Sequence, residues 1–569
     1  MCASQFGRAA SRREAAFAAA HRMCATAARA LPRRALASGA AHSACVLAWT
    51  ALLGCVFAWV LFWFCLAWPL ALAVELGFRV YLAARVRMLH DRKAHVPASL
   101  RVRRLKPPSH HRMSNACLTH APLVAHQARM TPAERTASLA RVLEAIAHAN
   151  GDDAAPHEGI PRFLSLWHCN APFASLRRSH MRRFLAAHFL FAELDALSAP
   201  QHAELEALLR SLEQQIGTKF PDGGEAAATE ELLTRAMRVS MPEEPMRWLP
   251  YPLVLYAAFA AMDVVARLVL RLFGFRHHTT PDGTLSYFHR PAKNAAPPPP
   301  VVLLPGIGIG PAGYVPLLLR VLCADGAAAF LVELPHVAAG RLHGGVPEEE
   351  AAAAALLAML RTHGEASARW VAHSYGSFVL AWLLRHADGA AKAAVRSAVL
   401  LDPAAVLVAF PHVLHGAVYR RPLEPPLAVQ ACASSKQPAA RSRLGKLRTK
   451  ARLVMAYAAT KEAHIALAVQ RHTFWPSASL WLDDLPAGCR VTVALSEGDV
   501  LLPTREVAAY AAAMGARSAA HGVSIDVLWM RGHQHGEVAL NPAHWGCLGR
   551  SLAAGAACAG KHAGPPHGE

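Results

Sequence analysis

The sequence predicts an α/β protein: a mostly parallel, doubly wound sheet preceded by a transmembrane helix and a helical region. Three observations predict it. Short apolar runs alternate with helical ones through the C-terminal half, residues 43 to 74 carry no charged side chain, and one buried run breaks abruptly at His-Ser-Tyr-Gly before resuming as a helix.

Composition bounds the reading first. The 569 residues include 54% hydrophobic and only 17% charged side chains, which leans towards a membrane-attached protein. The formal charge of +20 favours acidic surfaces as partners. The basic residues are scattered arginines without interleaved aromatics, so anionic lipid or plain solubility explains them better than base recognition, and no nucleic-acid partner is expected. Twelve cysteines run from Cys2 to Cys558 without a C-x-x-C pair, which points to neither a zinc site nor a disulfide framework. Cys45, Cys55 and Cys65 lie in an apolar run, where they pack.

Residues 1 to 43 are rich in Arg, Ala and Ser with Glu14 as the single acid, the composition of an organelle transit peptide (chloroplast or mitochondrion) or of a basic tail before a signal anchor, as at the endoplasmic reticulum. Residues 44–74 are long enough to span a bilayer core, which takes roughly 20 apolar residues. Trp49, Trp59, Trp63 and Trp68 suit the headgroup region, while arginines on both sides leave the orientation open.

Residues 75–283 read as a helical region, with Thr131 as N-cap and Pro132 in first position of "TPAERTASLARVLEAIAHA". In "LPYPLVLYAAFAAMDVVARLVLRLFGF" the charges Asp263, Arg267 and Arg271 recur at helical spacing, so this helix lies on a membrane or covers a core and is not a second span. "PAKNAAPPPP" (291–300) is a stiff linker. Then "VVLLP", "AAFLVEL", "ARWVAHS", "SAVLLDP", "RVTVALSEGD" and "SIDVLWMRG" read as strands between helices, the grammar of parallel βαβ units. "PEEEAAAAALLAMLRTHG" is a helix with acids in its first turn and Gly364 beyond its end.

Ala372-His373-Ser374-Tyr375-Gly376 is a variant of G-x-S-x-G, in which a strained strand-to-helix turn exposes the serine and demands small residues two positions away. Serine needs a base, and the base needs a carboxylate to hold its tautomer. Asp499 closes one strand and His535 follows the last, in the order Ser, acid, His. Asp402 also ends a strand and is an alternative acid, or a structural carboxylate. His533 is an alternative base. Asp499 stands ahead because its strand lies nearest the final histidine loop, and His535 because "HGEVALNP" starts a helix-leading loop. The oxyanion donors expected are the N–H groups of Tyr375 and of Ile307 in "PGIGIGPAGY". No cofactor or metal is needed.

That same loop supports a rival. Gly308-x-Gly310-x-x-Gly313, with Glu333 ending the next strand, matches a dinucleotide-binding fingerprint and would make the protein an oxidoreductase. A dinucleotide domain usually carries the fingerprint on its first strand, and this reading leaves Ser374, Asp499 and His535 unexplained.

"LLPGIGIGPAGY", "AHSYGS", "LLDPAAVLVAFPHVLHGAVYRRP", "FWPSASLWLDDLP" and "HGEVALNP" together resemble membrane-anchored eukaryotic α/β-hydrolases of unassigned substrate. Pro305 stands where many of these enzymes have His, and Ala372 where the turn usually begins with Gly. The resemblance spans most of the chain beyond the anchor. It implies an α/β-hydrolase domain over 284–555, a lid at about 404–480 and a Ser-His-Asp serine hydrolase, with 556–569 as a tail. The lid carries a basic run, Lys436, Arg441, Arg443, Lys446, Arg448, Lys450 and Arg452, which is either a lipid-headgroup contact or a solvated loop. The expected function is hydrolysis of a lipid or other apolar ester at a membrane. Acyl transfer at the same site and a non-catalytic membrane scaffold remain as alternatives.

Overall fold

A computed structural model describes residues 48–59, 68–91, 130–149, 156–223, 237, 246–293, 297–341, 345–386, 389–424, 427, 450 and 453–554. The N-terminal basic segment, most of the basic run of the lid and the C-terminal tail lie outside the described residues.

Eight strands form one sheet: β1 (Arg276–Thr279), β2 (Ser286–Arg290), β3 (Val301–Leu304), β4 (Ala329–Glu333), β5 (Ala368–His373), β6 (Val395–Leu401), β7 (Arg490–Ser496) and β8 (Ser524–Met530). Their order is β1-β2-β4-β3-β5-β6-β7-β8. The first two pairings, β1 with β2 and β2 with β4, are antiparallel, and the rest are parallel. The six parallel strands are those read from the sequence. The hairpin β1–β2 was not among them, and the sheet begins at Arg276, ahead of the expected domain boundary at 284. This mostly parallel sheet with a strand–Ser374–helix turn is the α/β-hydrolase architecture.

Parallel strands bury both faces, so they read as continuous apolar runs. In β3 all four residues are buried, and side-chain alternation splits them between two cores. Val302 and Leu304 join Phe330, Trp370 and Ala372 under helices Pro132–Ala149, Glu349–Thr362, Gly376–His386 and Thr504–Ser518. Val301 and Leu303 join Leu331 and Val371 under helices Leu253–Leu272 and Trp545–Ala554. The helix Pro132–Ala149 is capped as expected: the Glu134 carboxylate accepts the Thr131 N–H at 2.7 Å, and Thr131 Oγ1 accepts the Glu134 N–H at 3.3 Å.

Chain order runs outward from β3 in one direction to β4 and in the other to β5, so a switch point lies between β3 and β5. In register, His373 pairs with Leu401, Leu401 with Ala494 and Ser496 with Met530. The residues just beyond these positions, Ser374, Asp402, Asp499 and the 531–536 loop, therefore emerge at one carboxyl edge.

The expected membrane span is described as an apolar helix, Ala48–Trp59, and a helix Trp68–Asp91, with 60–67 outside the described residues. Among the described residues, the helix long and apolar enough to cross a bilayer is Leu253–Leu272, with mean hydropathy 2.0 in its most apolar window. It packs on the sheet through Met262, Ala266 and Leu270. Two of its three charges are ion-paired: Asp263 accepts from Arg267 and Arg341, both of which also reach Glu333, while Arg271 is exposed. That agrees with a core-covering helix. Glu75 of helix Trp68–Asp91 accepts the Leu253 N–H at 2.6 Å, tying the two helices together.

Candidate active site

Ser374 sits between β5 and the helix Gly376–His386 with φ of +48°, a left-handed conformation that costs a non-glycine residue on the order of 1–3 kcal/mol. The surroundings hold it there. Its N–H donates to Leu401 O at 3.0 Å, and the Ser377 hydroxyl donates to Ser374 O at 2.5 Å. Gly376 has no alternative: a Cβ on it would lie 2.2 Å from Leu304 O. Ala372 is fully buried in β5, paired with Leu304 and Leu400, so the missing first glycine leaves the turn intact.

His535 Nε2 lies 2.8 Å from Ser374 Oγ, and His535 Nδ1 lies 2.6 Å from Asp499 Oδ2. The other Asp499 oxygen accepts the N–H groups of Leu501 at 2.7 Å and Leu502 at 3.0 Å, which fixes the carboxylate. Burial lowers the His535 pKa, but the Asp499 charge and hydrogen bond outweigh it and raise it to about 9.

Neither alternative makes the corresponding contact. Asp402 also leaves the sheet with positive φ, but its carboxylate is committed to the scaffold: Oδ1 accepts Ser496 N–H at 2.7 Å, and Oδ2 accepts the Ser496 hydroxyl at 2.8 Å and Gly536 N–H at 3.0 Å. It ties the end of β7 to the His535 loop. Complete burial and then the neighbouring Asp499 charge raise its pKa. His533 points away, buried against His544 with Nδ1 3.3 Å from Arg531 O. Donor atoms of Asp402, Asp499 and His535 lie within 4.8 Å of one another, close enough to hold a cation, but protein hydrogen bonds already engage them.

The loop after β3 presses on Ser374. A Cβ on Gly306 would meet Ser374 Cβ at 2.8 Å and His373 Nδ1 at 2.7 Å, so only glycine fits. Gly306 N–H donates to Tyr314 Oη and Gly308 N–H to Val337 O, which leaves Ile307 between two occupied donors.

Tyr314 was quoted within this loop without being assigned a part. Its hydroxyl accepts from Gly306 N–H and donates to His373 Nδ1, both at 2.6 Å. His373 is kept neutral, its pKa lowered to about 3 by burial and then by His535. The signal that could have found Tyr314 is a tyrosine closing a glycine-rich loop, whose hydroxyl can cap a buried N–H. Tyr314→Phe should strand two buried polar groups, lowering stability by about 1–3 kcal/mol. It should also lower kcat more than it changes KM, since the loop beside Ser374 loosens. Thermal unfolding and steady-state kinetics check both.

The dinucleotide expectation is not met in the geometry. The glycines lead into a short 3-10 turn, Gly310–Gly313, and only then into a helical stretch, Val315–Leu317 continued by a π segment Leu318–Leu322, so they do not open directly onto a helix N-terminus that could hold a pyrophosphate. Glu333 is 3% exposed, bound by Arg267, Arg341, His277 and Ser286, so it cannot grip a ribose.

Beyond the turn, side chains from the helices between Val142 and Phe191 and from segments 408–417 and 469–475 line an apolar cavity of about 90 Å³. Phe163, Trp167, Phe184, Phe191, Phe378 and Phe474 line much of it. Phe378 is the third residue of the helix that starts at Gly376. Ser374, Asp499 and His535 are not among its lining residues.

No protein-family model matches this chain, and no curated protein does. Among solved structures, the chain is similar to esterase RhEst1 from Rhodococcus sp. ECU1013, at 19% identity and TM-score 0.31, covering 49% of this chain and 99% of that one. It is similar to carboxylesterase CesB (YbfK) from Bacillus subtilis, at 12% identity and TM-score 0.32, over 53% and 98%. A membrane phospholipase A described as a bacterial virulence factor matches at 17% identity and TM-score 0.33, over 52% and 92%.

Proposed function

We propose that this chain is a membrane-associated serine hydrolase acting on an apolar acyl ester. The observation that carries the reading is the chain of contacts from Ser374 Oγ through His535 to Asp499 at a strained strand-to-helix turn. Ser374 Oγ attacks the ester carbonyl carbon while His535 Nε2 takes its proton. Asp499 holds Nδ1–H and stabilises the imidazolium. The N–H groups of Ile307 and Tyr375 receive the oxyanion. Collapse expels the alcohol, which takes the proton from His535, and water then repeats the sequence on the acyl-enzyme to release the acid.

An apolar substrate is supported by the aromatic cavity, one of whose lining residues, Phe378, stands four residues beyond Ser374. Membrane association is supported by apolar side chains left exposed on three helices: Trp59 at 64%, Val80 at 70% and Phe273 at 48%, with Leu72, Leu76 and Leu272. Exposed large apolar groups of this density mark an interaction surface.

The test uses the full chain expressed in cells. Membrane fractions should retain it through a carbonate wash and release it with detergent, and the detergent-soluble protein should label with a fluorophosphonate and cleave p-nitrophenyl esters, longer acyl chains faster than acetyl. Folded protein that fails to label would remove the hydrolase reading, and release by carbonate alone would remove the membrane reading.

A further inference from the structure

Three histidines beside the edge hairpin form a cluster that ester hydrolysis does not use. His278 lies on β1, His289 on β2, and His363 ends the helix Glu349–Thr362. His278 pairs directly with Tyr287 across the hairpin, and His289 lies two residues along from Tyr287, so all three side chains share one face of the sheet. The helix end brings His363 onto that face. The ring centroids of His289 and His363 are 3.7 Å apart, those of His278 and His363 5.1 Å, and those of His278 and His289 5.9 Å.

One donor nitrogen from each ring lies within 4.8 Å of one from each of the others. The Tyr287 hydroxyl, 3.1 Å from His363 Nε2, orients that ring. His278 Nε2 is buried with no hydrogen-bond partner, an arrangement that costs free energy unless something fills it. Burial comes first in holding all three rings below the usual histidine pKa, His289 at about 4, with neighbouring histidines adding to it. Neutral imidazole is the form that binds metal. Arg276 beside His278 is the charge that works against a cation.

We propose that His278, His289 and His363 bind a divalent transition cation of the zinc class, leaving a fourth position to water or an added ligand. Imidazole donors select zinc, copper or nickel over magnesium or calcium. Zinc–nitrogen bonds of about 2.0–2.1 Å set the nitrogens about 3.3 Å apart in a tetrahedron. Reaching that spacing takes a contraction of about 1.5 Å at most, which side-chain rotation on a hairpin at the sheet edge supplies. β2 and β5 are separated by β4 and β3, so the cluster stands about 14 Å along the sheet from the strand that carries Ser374. The cation therefore clips the β1–β2 hairpin to the helix end and takes no part in the reaction.

The test uses the full chain in detergent, purified without a polyhistidine tag, stripped with a chelator and titrated with zinc by calorimetry. Bound metal is counted by elemental mass spectrometry. Wild type and His535→Asn should each bind one equivalent at this site, and zinc should raise the unfolding temperature of both. His289→Asn and His363→Asn should bind at least about tenfold more weakly and gain no thermal protection. Cobalt in place of zinc should give tetrahedral absorption bands in wild type that His363→Asn abolishes. If the metal-free unfolding of either variant departs from that of wild type, His278→Asn on the edge strand replaces it in the comparison. No zinc binding by wild type, equal binding by all variants, or loss of binding in His535→Asn alone would each overturn the proposal.

Discussion

Ser374→Ala should give a folded protein that no longer labels with a fluorophosphonate, with kcat for ester cleavage reduced on the order of 10⁶-fold, the scale on which removing a triad serine acts. The substitution deletes one oxygen and its 2.8 Å contact with His535. The backbone should tolerate it. Alanine carries the same Cβ as serine into the left-handed turn, and the bonds that hold the turn come from the Ser374 backbone and Ser377, not from Oγ. Thermal unfolding should therefore match wild type to within about 1 kcal/mol. Residual turnover should be that supplied by the oxyanion donors and binding alone. Labelling that persists in the variant would place the nucleophile on another residue.

Asp499→Asn should lower kcat about 10⁴-fold, because an amide at that position favours the wrong histidine tautomer. Asp402→Asn should act differently, although both carboxylates end neighbouring strands. The Asp402 oxygens accept the N–H groups of Ser496 and Gly536 as well as the Ser496 hydroxyl. An asparagine there offers one carbonyl oxygen and turns an NH₂ towards a buried donor, at a cost of about 1–3 kcal/mol of stability. Its kcat should fall at least about 100-fold less than that of Asp499→Asn.

The pH profile separates the two further. Catalysis needs neutral His535, whose pKa the Asp499 charge raises to about 9 against the opposing effect of burial. In wild type, kcat/KM should therefore climb with pH through the neutral range, reach half its plateau near pH 9 and level off above that. In Asp499→Asn the raising charge is gone, so the limb should move to lower pH. The Asp402 charge also raises the His535 pKa, by less than Asp499, so Asp402→Asn should move the limb the same way by a smaller amount. A larger kinetic loss and a larger displacement in Asp402→Asn would transfer the acid's part to Asp402.

Much of the fold was legible because parallel strands with both faces covered are buried along their whole length, as β3 and β5 are, and read as mostly apolar runs. The hairpin β1–β2 was not. "RHHT" and "SYFHR" lack the apolar run, since β1 is a sheet edge and needs no burial on both faces. Tyr314 was equally hidden, because a hydroxyl that caps a buried N–H eight residues earlier leaves no periodic trace.

The sequence by itself determined the features that depend on near neighbours. These are the strand–serine–helix turn, the glycine at 376 that lets the turn pass Leu304, and the order of serine, aspartate and histidine along a parallel sheet. Only the tertiary structure decided which carboxylate and which histidine meet. Asp402 and Asp499 look alike in sequence, each ending an apolar strand. What separates them is which N–H groups take up their oxygens: those of Leu501 and Leu502, two and three residues on, hold Asp499 with its other oxygen turned to the distant His535, while the distant Ser496 and Gly536 occupy Asp402. Contacts formed by closing long loops between strands carry no local periodicity, so they exist only once the sheet has assembled.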